Sequence, residues 1–184
     1  MSLREHIISF IHNIATSNSR KKTILAPIGG TIFFLSFVVF IILSFYSDNL
    51  FRFSQFPHKP LNIILGVPVF SFGILLTFWS VLYFIRVKGT PVPFNPPSKL
   101  ITTGPYMYIR NPMLTGVFLQ LFGIGIFFRS ISLVFIFTPI FILISILFLK
   151  AIEEPELERR LGNEYLEYKR RVPMFIPKGR PVHK

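Results

Sequence analysis

Residues 113–149 have the sequence MLTGVFLQLFGIGIFFRSISLVFIFTPIFILISILFL, and this stretch decides the fold. It contains one charged residue, Arg129, which is followed by Ser130. An arginine at the centre of a membrane span costs about 2.5–3.5 kcal/mol, whereas an arginine at a turn near the interface costs little. The pattern therefore predicts a helical hairpin, with one span over 113–128 and a second over 131–149.

Two more uncharged stretches lie upstream, at 24–46 and 61–85. Each is long enough to cross a hydrocarbon core of ~30 Å at ~1.5 Å per residue. We therefore expect an all-α, polytopic membrane protein with about four transmembrane helices, forming one domain over residues 1–184. Residues 1–22 carry apolar side chains at helical spacing, which predicts a short amphipathic helix on the membrane interface.

The charge balance supports a membrane protein and gives its orientation. A net charge of +12 would suit a nucleic-acid binder, but the mean hydropathy of +0.57 excludes a soluble basic protein or a disordered tail. Of the 20 Lys and Arg residues, 17 lie in segments 1–23, 86–112 and 150–184. This asymmetry places both termini in the cytoplasm. The chain has no Cys, which excludes disulfides, thiolate zinc sites and Cys nucleophiles, and we expect no metal site.

The first polar segment, 86–112, is RVKGTPVPFNPPSKLITTGPYMYIRNP. Its prolines and glycines exclude a regular helix, while its many apolar side chains favour an ordered loop packed on the membrane domain. Pro112 suits the first position of a helix, with Asn111 as N-cap. The free N–H groups of such a helix start attract a carboxylate, and Arg110 adds a positive charge beside it.

The second polar segment, 150–177, is KAIEEPELERRLGNEYLEYKRRVPMFIP. Its apolar stripe predicts helix, and Gly162–Asn163 predicts a helix stop and restart. By composition, a basic helix of this kind could simply bind anionic lipid. Composition does not require two adjacent carboxylates, Glu153 and Glu154, on the same side of the membrane as Arg110. Such carboxylates could hold positively charged ligand atoms and ribose hydroxyls.

These two segments, in this order and separated by a two-helix hairpin, closely resemble the isoprenylcysteine carboxyl methyltransferase-like family of integral-membrane methyltransferases. The resemblance covers roughly residues 86–177 and implies S-adenosylmethionine as methyl donor, bound on the cytoplasmic side. It implies a lipophilic or lipid-borne acceptor, for which three classes fit: a carboxylate such as that of a prenylcysteine, a phospholipid headgroup amine, and a small lipophilic molecule. Many members have His at the position of Asn111. Unlike a His side chain, an Asn side chain cannot titrate.

Carried over residue by residue, the resemblance implies a catalytic set and a cofactor-binding set. Arg110, Glu153 and Glu154 would be catalytic, because Arg110 could steer an anionic acceptor and a glutamate could act as base. The expected cofactor-binding residues are Gly104, Pro105, Tyr106, Tyr108, Arg110, Asn111, Pro112, Met113, Glu153, Glu154, Tyr165 and Tyr168. Among them, Arg110 to Met113 would bind near the methionine carboxylate, and the glutamates would bind the ammonium and ribose.

Three alternatives remain at this stage. A sterol-type membrane reductase would use a nicotinamide cofactor and usually has more spans. A four-span glutathione transferase-like protein would need thiol-activating residues along its spans, and these spans are nearly free of polar groups. A non-enzymatic scaffold with a lipid-binding basic tail would not need Arg110 or Glu153.

Overall fold

The structure, a computed structural model, describes residues 3–16, 21–87, 90 and 99–177. Seven α-helices form within these residues. They are α1 (Leu3–Thr16), α2 (Lys21–Leu50), α3 (Leu61–Arg86), α4 (Pro112–Phe128), α5 (Thr138–Phe148), α6 (Glu154–Leu161) and α7 (Asn163–Arg171). Most of the predicted proline-rich loop, including Gly89, Phe94 and four of its prolines, lies outside the described residues.

The prediction of an all-α, polytopic membrane protein is confirmed. Three helical stretches of the described chain are long and apolar enough to cross a membrane: Ile24–Leu50, Leu61–Arg86 and Leu133–Leu161. The fourth apolar helix, α4, has 17 residues and begins at Pro112, as expected for a residue without an N–H to satisfy. The observed helices extend beyond the predicted spans. Helix α2, for example, ends at Leu50, whereas the predicted span ended at residue 46.

The largest difference from the predicted boundaries lies after Leu149. The helix does not end there but continues to Leu161 through a π-helical turn at Leu149–Glu153, and a similar turn spans Leu133–Phe137. Each π turn stands just before a proline, Pro155 or Pro139. A proline ring clashes with the carbonyl four residues back, and a wider turn accommodates it without ending the helix. Glu153 and Glu154 are therefore held on a rigid helix.

The chain forms two compact units, and the second consists of Phe33–Phe78 and Met113–Ser145. Within it, glycines bring α3 and α4 into close contact: a Cβ added at Gly73 would lie 2.7 Å from the Gly116 carbonyl oxygen. Small residues allow such an approach in membrane helices. Phe141 is buried and makes edge-to-face contacts with Phe33 and Phe118. These glycines therefore serve the packing of α3 on α4.

The predicted turn at Arg129–Ser130 is also confirmed within this unit. Helix α4 ends at Phe128, and Arg129 takes a left-handed conformation with φ of 66°. The Ser130 N–H donates to the Gly125 carbonyl at 2.8 Å, and the Arg129 Nε donates to the Pro57 carbonyl at 3.1 Å. The guanidinium thus has a polar partner at the turn, which is why a charge is tolerated between two apolar helices.

The first unit consists of Met1–Ile32, Trp79–Pro112 and Ile146–Lys184. Its N-terminal helix α1 forms as predicted and packs on α6 and the preceding π turn through Ile11, Ile14 and Ala15. The Arg4 Nε donates to the Ala151 carbonyl at 2.8 Å. In a regular α-helix that carbonyl would accept a hydrogen bond from the N–H of residue 155, but Pro155 has no N–H. That α1 lies on a membrane interface stays a prediction.

Candidate functional site

A pocket lies within the first unit, enclosed by α6, α7, the segment 99–111 and residues of two apolar helices. Its volume is about 100 Å³. Its lining among the described residues comprises Phe84, Thr90, Lys99, Leu100, Ile101, Tyr106, Arg110, Asn111, Leu149, Glu153, Glu154, Leu157, Arg160, Leu161, Tyr165 and Tyr168. Typical ligand pockets hold ~300–1,000 Å³. Binding of a large ligand therefore requires the pocket to widen.

Backbone hydrogen bonds hold the segment 99–111 against residues 173 and 174. The Arg110 N–H donates to the Pro173 carbonyl at 2.8 Å, and the Asn111 N–H donates to the Met174 carbonyl at 3.2 Å. The predicted stop at Gly162, where φ is 57°, turns α7 relative to α6. The apolar side chains of α6 and α7 then meet in one core. Its buried residues are Tyr165, Tyr168 and Val172, and Leu100, Leu157 and Leu161 pack against them.

Arg110 and Glu154 of the pocket lining form a chain of charges with Lys169, which is not part of that lining. The Arg110 Nη1 lies 2.9 Å from the Glu154 Oε1, and the Lys169 Nζ lies 2.7 Å from the Glu154 Oε2. The first two side chains are nearly buried, with 10% and 8% of their surface exposed. Despite the short distance, the Arg110 Nε and Nη1 and the Glu154 Oε1 lack hydrogen-bond geometry. These buried groups therefore retain hydrogen-bonding capacity for a ligand.

Glu153 provides a second carboxylate in the pocket. It is half-buried and makes no hydrogen bond or ion pair with any residue that the structure describes. The next acidic residue, Glu156, is engaged differently, because its carboxylate accepts a hydrogen bond from the Arg160 Nε at 2.9 Å and faces His12 of α1. Of these two carboxylates, Glu153 is the one available to a ligand.

The pocket tyrosines are neutral hydrogen-bonding groups. Burial raises the pKa of the Tyr165 phenol well above its ordinary value, and the nearby Glu154 carboxylate raises it further. Burial also raises the pKa of Tyr168, although the Arg110 guanidinium opposes this shift. Both phenols stay protonated at neutral pH, so they can donate a hydrogen bond but do not act as bases.

Seven of the twelve predicted cofactor-binding residues line the pocket: Tyr106, Arg110, Asn111, Glu153, Glu154, Tyr165 and Tyr168. Five do not. Pro105 and Pro112 are fully buried elsewhere, Tyr108 is 42% exposed, and Met113 belongs to the second unit. Gly104 has φ of 63° and faces the Tyr83 ring, which occupies the space of a Cβ. Its role is thus to let Tyr83 pack.

Tyr168 to Phe tests the link between α7 and the pocket wall. The buried Tyr168 hydroxyl donates to the Tyr106 carbonyl at 2.8 Å. Its removal leaves that carbonyl unsatisfied, so we expect a loss of about 1–2 kcal/mol of unfolding free energy. Thermal unfolding in detergent measures this, with the exposed Tyr108→Phe as the matched control. Equal unfolding midpoints for the two variants would contradict the assignment.

The sequence pattern missed Arg160, which lines the pocket, and Lys169, which pairs with Glu154 of the lining. Each carries a charge that looks like one more member of a basic tail. For Arg160 a signal existed, namely its spacing of four residues from Glu156. For Lys169 none existed, because its partners Glu154 and Glu158 lie 15 and 11 residues away and meet it only through the turn at Gly162.

Comparison with known proteins provides independent information on the site. Residues 61–164 match the phospholipid methyltransferase family, a range that includes Arg110, Glu153 and Glu154. A nickel-cobalt-cadmium resistance protein, NccN, of Alcaligenes xylosoxydans xylosoxydans is 32% identical over 115 residues, which is 62% of this chain and 48% of that protein. A methanethiol S-methyltransferase of Crocosphaera subtropica is 36% identical over 97 residues, which is 52% and 34% of the two chains. The chain thus spans about half and a third of these relatives' lengths.

Proposed function

This chain belongs to the phospholipid methyltransferase family of membrane methyltransferases, and from that premise we propose that it transfers the methyl group of S-adenosylmethionine to a lipophilic or lipid-borne acceptor. One observation carries the proposal. A buried arginine with open hydrogen-bond donors lies in the same pocket as two carboxylates. The methionine end of the cofactor is a zwitterion, which needs an anion site and a cation site close together.

The residues present fit this amino-acid end. Arg110 presents the planar donors that suit a carboxylate, and Glu153 and Glu154 present the oxygens that suit an ammonium group or ribose hydroxyls. The Tyr165 and Tyr168 phenols remain neutral and add hydrogen-bond donors to the wall. When bound, S-adenosylmethionine supplies a methyl group on a positively charged sulfur, and transfer of that group to the acceptor's lone pair leaves the neutral thioether S-adenosylhomocysteine.

The protein's contribution to catalysis is alignment in a pocket that excludes water. A carboxylate acceptor needs no base, only a positive group such as Arg110. An amine or thiol must lose a proton, and Glu153 is the carboxylate available to take it. Phe84 and Leu149 line one side of the pocket from the ends of apolar helices, which favours an acceptor that arrives from the bilayer. We also propose that both termini are cytoplasmic, because most Lys and Arg residues flank that side.

Calorimetric titration with S-adenosylhomocysteine tests the cofactor. We expect saturable binding to the detergent-solubilised protein and about tenfold weaker binding to Glu153→Gln, because a charge-assisted hydrogen bond contributes ~1.5–3 kcal/mol. The matched control is Glu167→Gln, an exposed carboxylate of α7 that pairs only with Arg171 among the described residues. Absence of binding to the unaltered protein would overturn the proposal, as would binding of NADPH in its place.

The acceptor is identified by incubating the protein with labelled S-adenosylmethionine and three acceptors in parallel. These are a prenylated or long-chain carboxylate, phosphatidylethanolamine, and a small thiol. The family description favours the phospholipid amine, and the Crocosphaera relative's name favours the thiol. Label in none of the three products, with binding of S-adenosylhomocysteine intact, would restrict the proposal to cofactor binding.

A further inference from the structure

Glu154 is held between two cations that differ in freedom. Its Oε1 lies 2.9 Å from the Arg110 Nη1, and its Oε2 lies 2.7 Å from the Lys169 Nζ. The Arg110 side chain is 10% exposed, whereas that of Lys169 is 34% exposed. Arg110 is thus fixed in the pocket wall, while Lys169 reaches the carboxylate from the solvent side.

The contact between Lys169 and Glu154 is a close ion pair, with 2.7 Å between the Lys169 Nζ and the Glu154 Oε2. The hydrogen bonds to Glu154 and Glu158 raise the pKa of Lys169, so its ammonium group is charged at neutral pH. The contact between Arg110 and Glu154 is close but lacks hydrogen-bond geometry. Lys169 is therefore a second cation on Glu154, and the Arg110 Nε and Nη1 donors remain open to another anion.

A lysine ammonium and the α-ammonium of a methionine moiety are the same chemical group, each with three N–H donors and one positive charge. We propose that Lys169 holds, on the Glu154 carboxylate, the place that the α-ammonium of S-adenosylmethionine takes on binding, so that Lys169 is displaced and its competition sets the affinity for the cofactor. This inference rests on the proposed function. It adds a residue that acts against cofactor binding.

The exchange is balanced in charge. The incoming carboxylate meets Arg110, the incoming ammonium meets Glu154, and Lys169 keeps its second partner, because its Nζ also lies 2.8 Å from the Glu158 Oε1. After leaving Glu154, Lys169 can stay paired with Glu158, whose side chain is 35% exposed.

Removal of the competitor should strengthen binding. A site that is competent only when Lys169 is away from Glu154 binds with an affinity lowered by the competent fraction. We expect Lys169→Gln to bind S-adenosylhomocysteine about tenfold more tightly in calorimetry. A gain of this order is expected when the competing pairing of Lys169 with Glu154 is removed. Glu158→Gln should have the opposite effect, because Lys169 then has Glu154 as its remaining carboxylate partner among the described residues.

Two controls separate this effect from a general change in the pocket. The probe 5′-methylthioadenosine lacks the amino-acid end, so its affinity should be the same in the unaltered protein and in Lys169→Gln. Arg171→Gln removes a cation from the same helix, where Arg171 pairs with the exposed Glu167 at 3.3 Å, and should leave both affinities unchanged. Thermal unfolding without ligand checks that each variant is folded.

The outcomes are distinct. Tighter binding of S-adenosylhomocysteine by Lys169→Gln together with weaker binding by Glu158→Gln supports the displacement. Unchanged or weaker binding by Lys169→Gln overturns it, as does an equal gain for 5′-methylthioadenosine, because Lys169 would then not compete with the ammonium group. Should the unaltered protein fail to bind S-adenosylhomocysteine, the proposed function itself fails.

Discussion

Replacement of Arg110 by Gln is expected to weaken binding of S-adenosylhomocysteine strongly and to slow methyl transfer with it. Arg110 is the cation whose donors face the pocket without hydrogen-bond partners, and it is the expected anchor of the methionine carboxylate. A charge-assisted hydrogen bond contributes ~1.5–3 kcal/mol, so the affinity should fall about 10–100-fold in calorimetry. The variant also deprives the buried Glu154 of a neighbouring charge, and we expect a loss of about 1–3 kcal/mol in unfolding free energy.

A second variant separates binding from stability. Arg110→Lys keeps a positive charge beside Glu154, so the variant should remain folded. It loses the planar, bidentate fork of the guanidinium, so its affinity for S-adenosylhomocysteine should be lower than that of the unaltered protein. The control is Arg171→Gln, which removes an exposed arginine of α7 outside the pocket. Affinities for Arg110→Gln and Arg171→Gln that agree with each other would show that Arg110 is no anchor for the carboxylate.

Replacement of Gly116 by Ala is expected to destabilise the second unit strongly for so small a change. The added Cβ would meet the Thr77 hydroxyl and would lie 2.7 Å from the Gly73 carbonyl oxygen and 2.8 Å from the Thr77 nitrogen. Backbone atoms cannot move aside unless α3 and α4 separate. We expect a loss of about 1–3 kcal/mol from overpacking, measured by thermal unfolding in detergent. This loss would appear although Ala favours helix over Gly by up to ~1 kcal/mol.

Gly125→Ala is the matched control on the same helix. Its nearest neighbours are a methyl group of Val134 at 2.7 Å and side-chain atoms of Leu133 at 3.3 Å, which can shift by small rotations. The expected loss is under about 1 kcal/mol, because side chains give way more easily than backbone. A Gly116→Ala protein as stable as Gly125→Ala would mean that α3 and α4 do not approach as closely as described.

Much of the fold was predictable from residues 24–46, 61–85 and 113–149, because apolar stretches of this length with at most one charge have few alternatives to membrane helices. The turn at Arg129 followed from the same logic, since a single charge between apolar runs belongs at an interface. The continuation of the last helix past Leu149 was not predicted, because the pattern indicates where apolar side chains stop but not where the backbone stops being helical.

The candidate site was predictable in part. Family resemblance led to several residues that line one pocket in the structure, namely Arg110, Glu153, Glu154, Tyr106, Tyr165 and Tyr168. The resemblance also named Gly104, whose left-handed backbone makes room for Tyr83 in the structure. A glycine's letter is the same whether it approaches a ligand or a neighbouring ring, and only the surrounding atoms distinguish the two.

The sequence by itself determined that this is an all-helical membrane protein, because apolar length and charge asymmetry act locally along the chain and need no partner. It also marked the two polar segments that carry the chemistry. The tertiary structure decided which charges meet. Lys169 reaches Glu154 across 15 residues only because Gly162 turns the chain, and a distance of 2.7 Å between two side chains depends on that path and not on either residue's type.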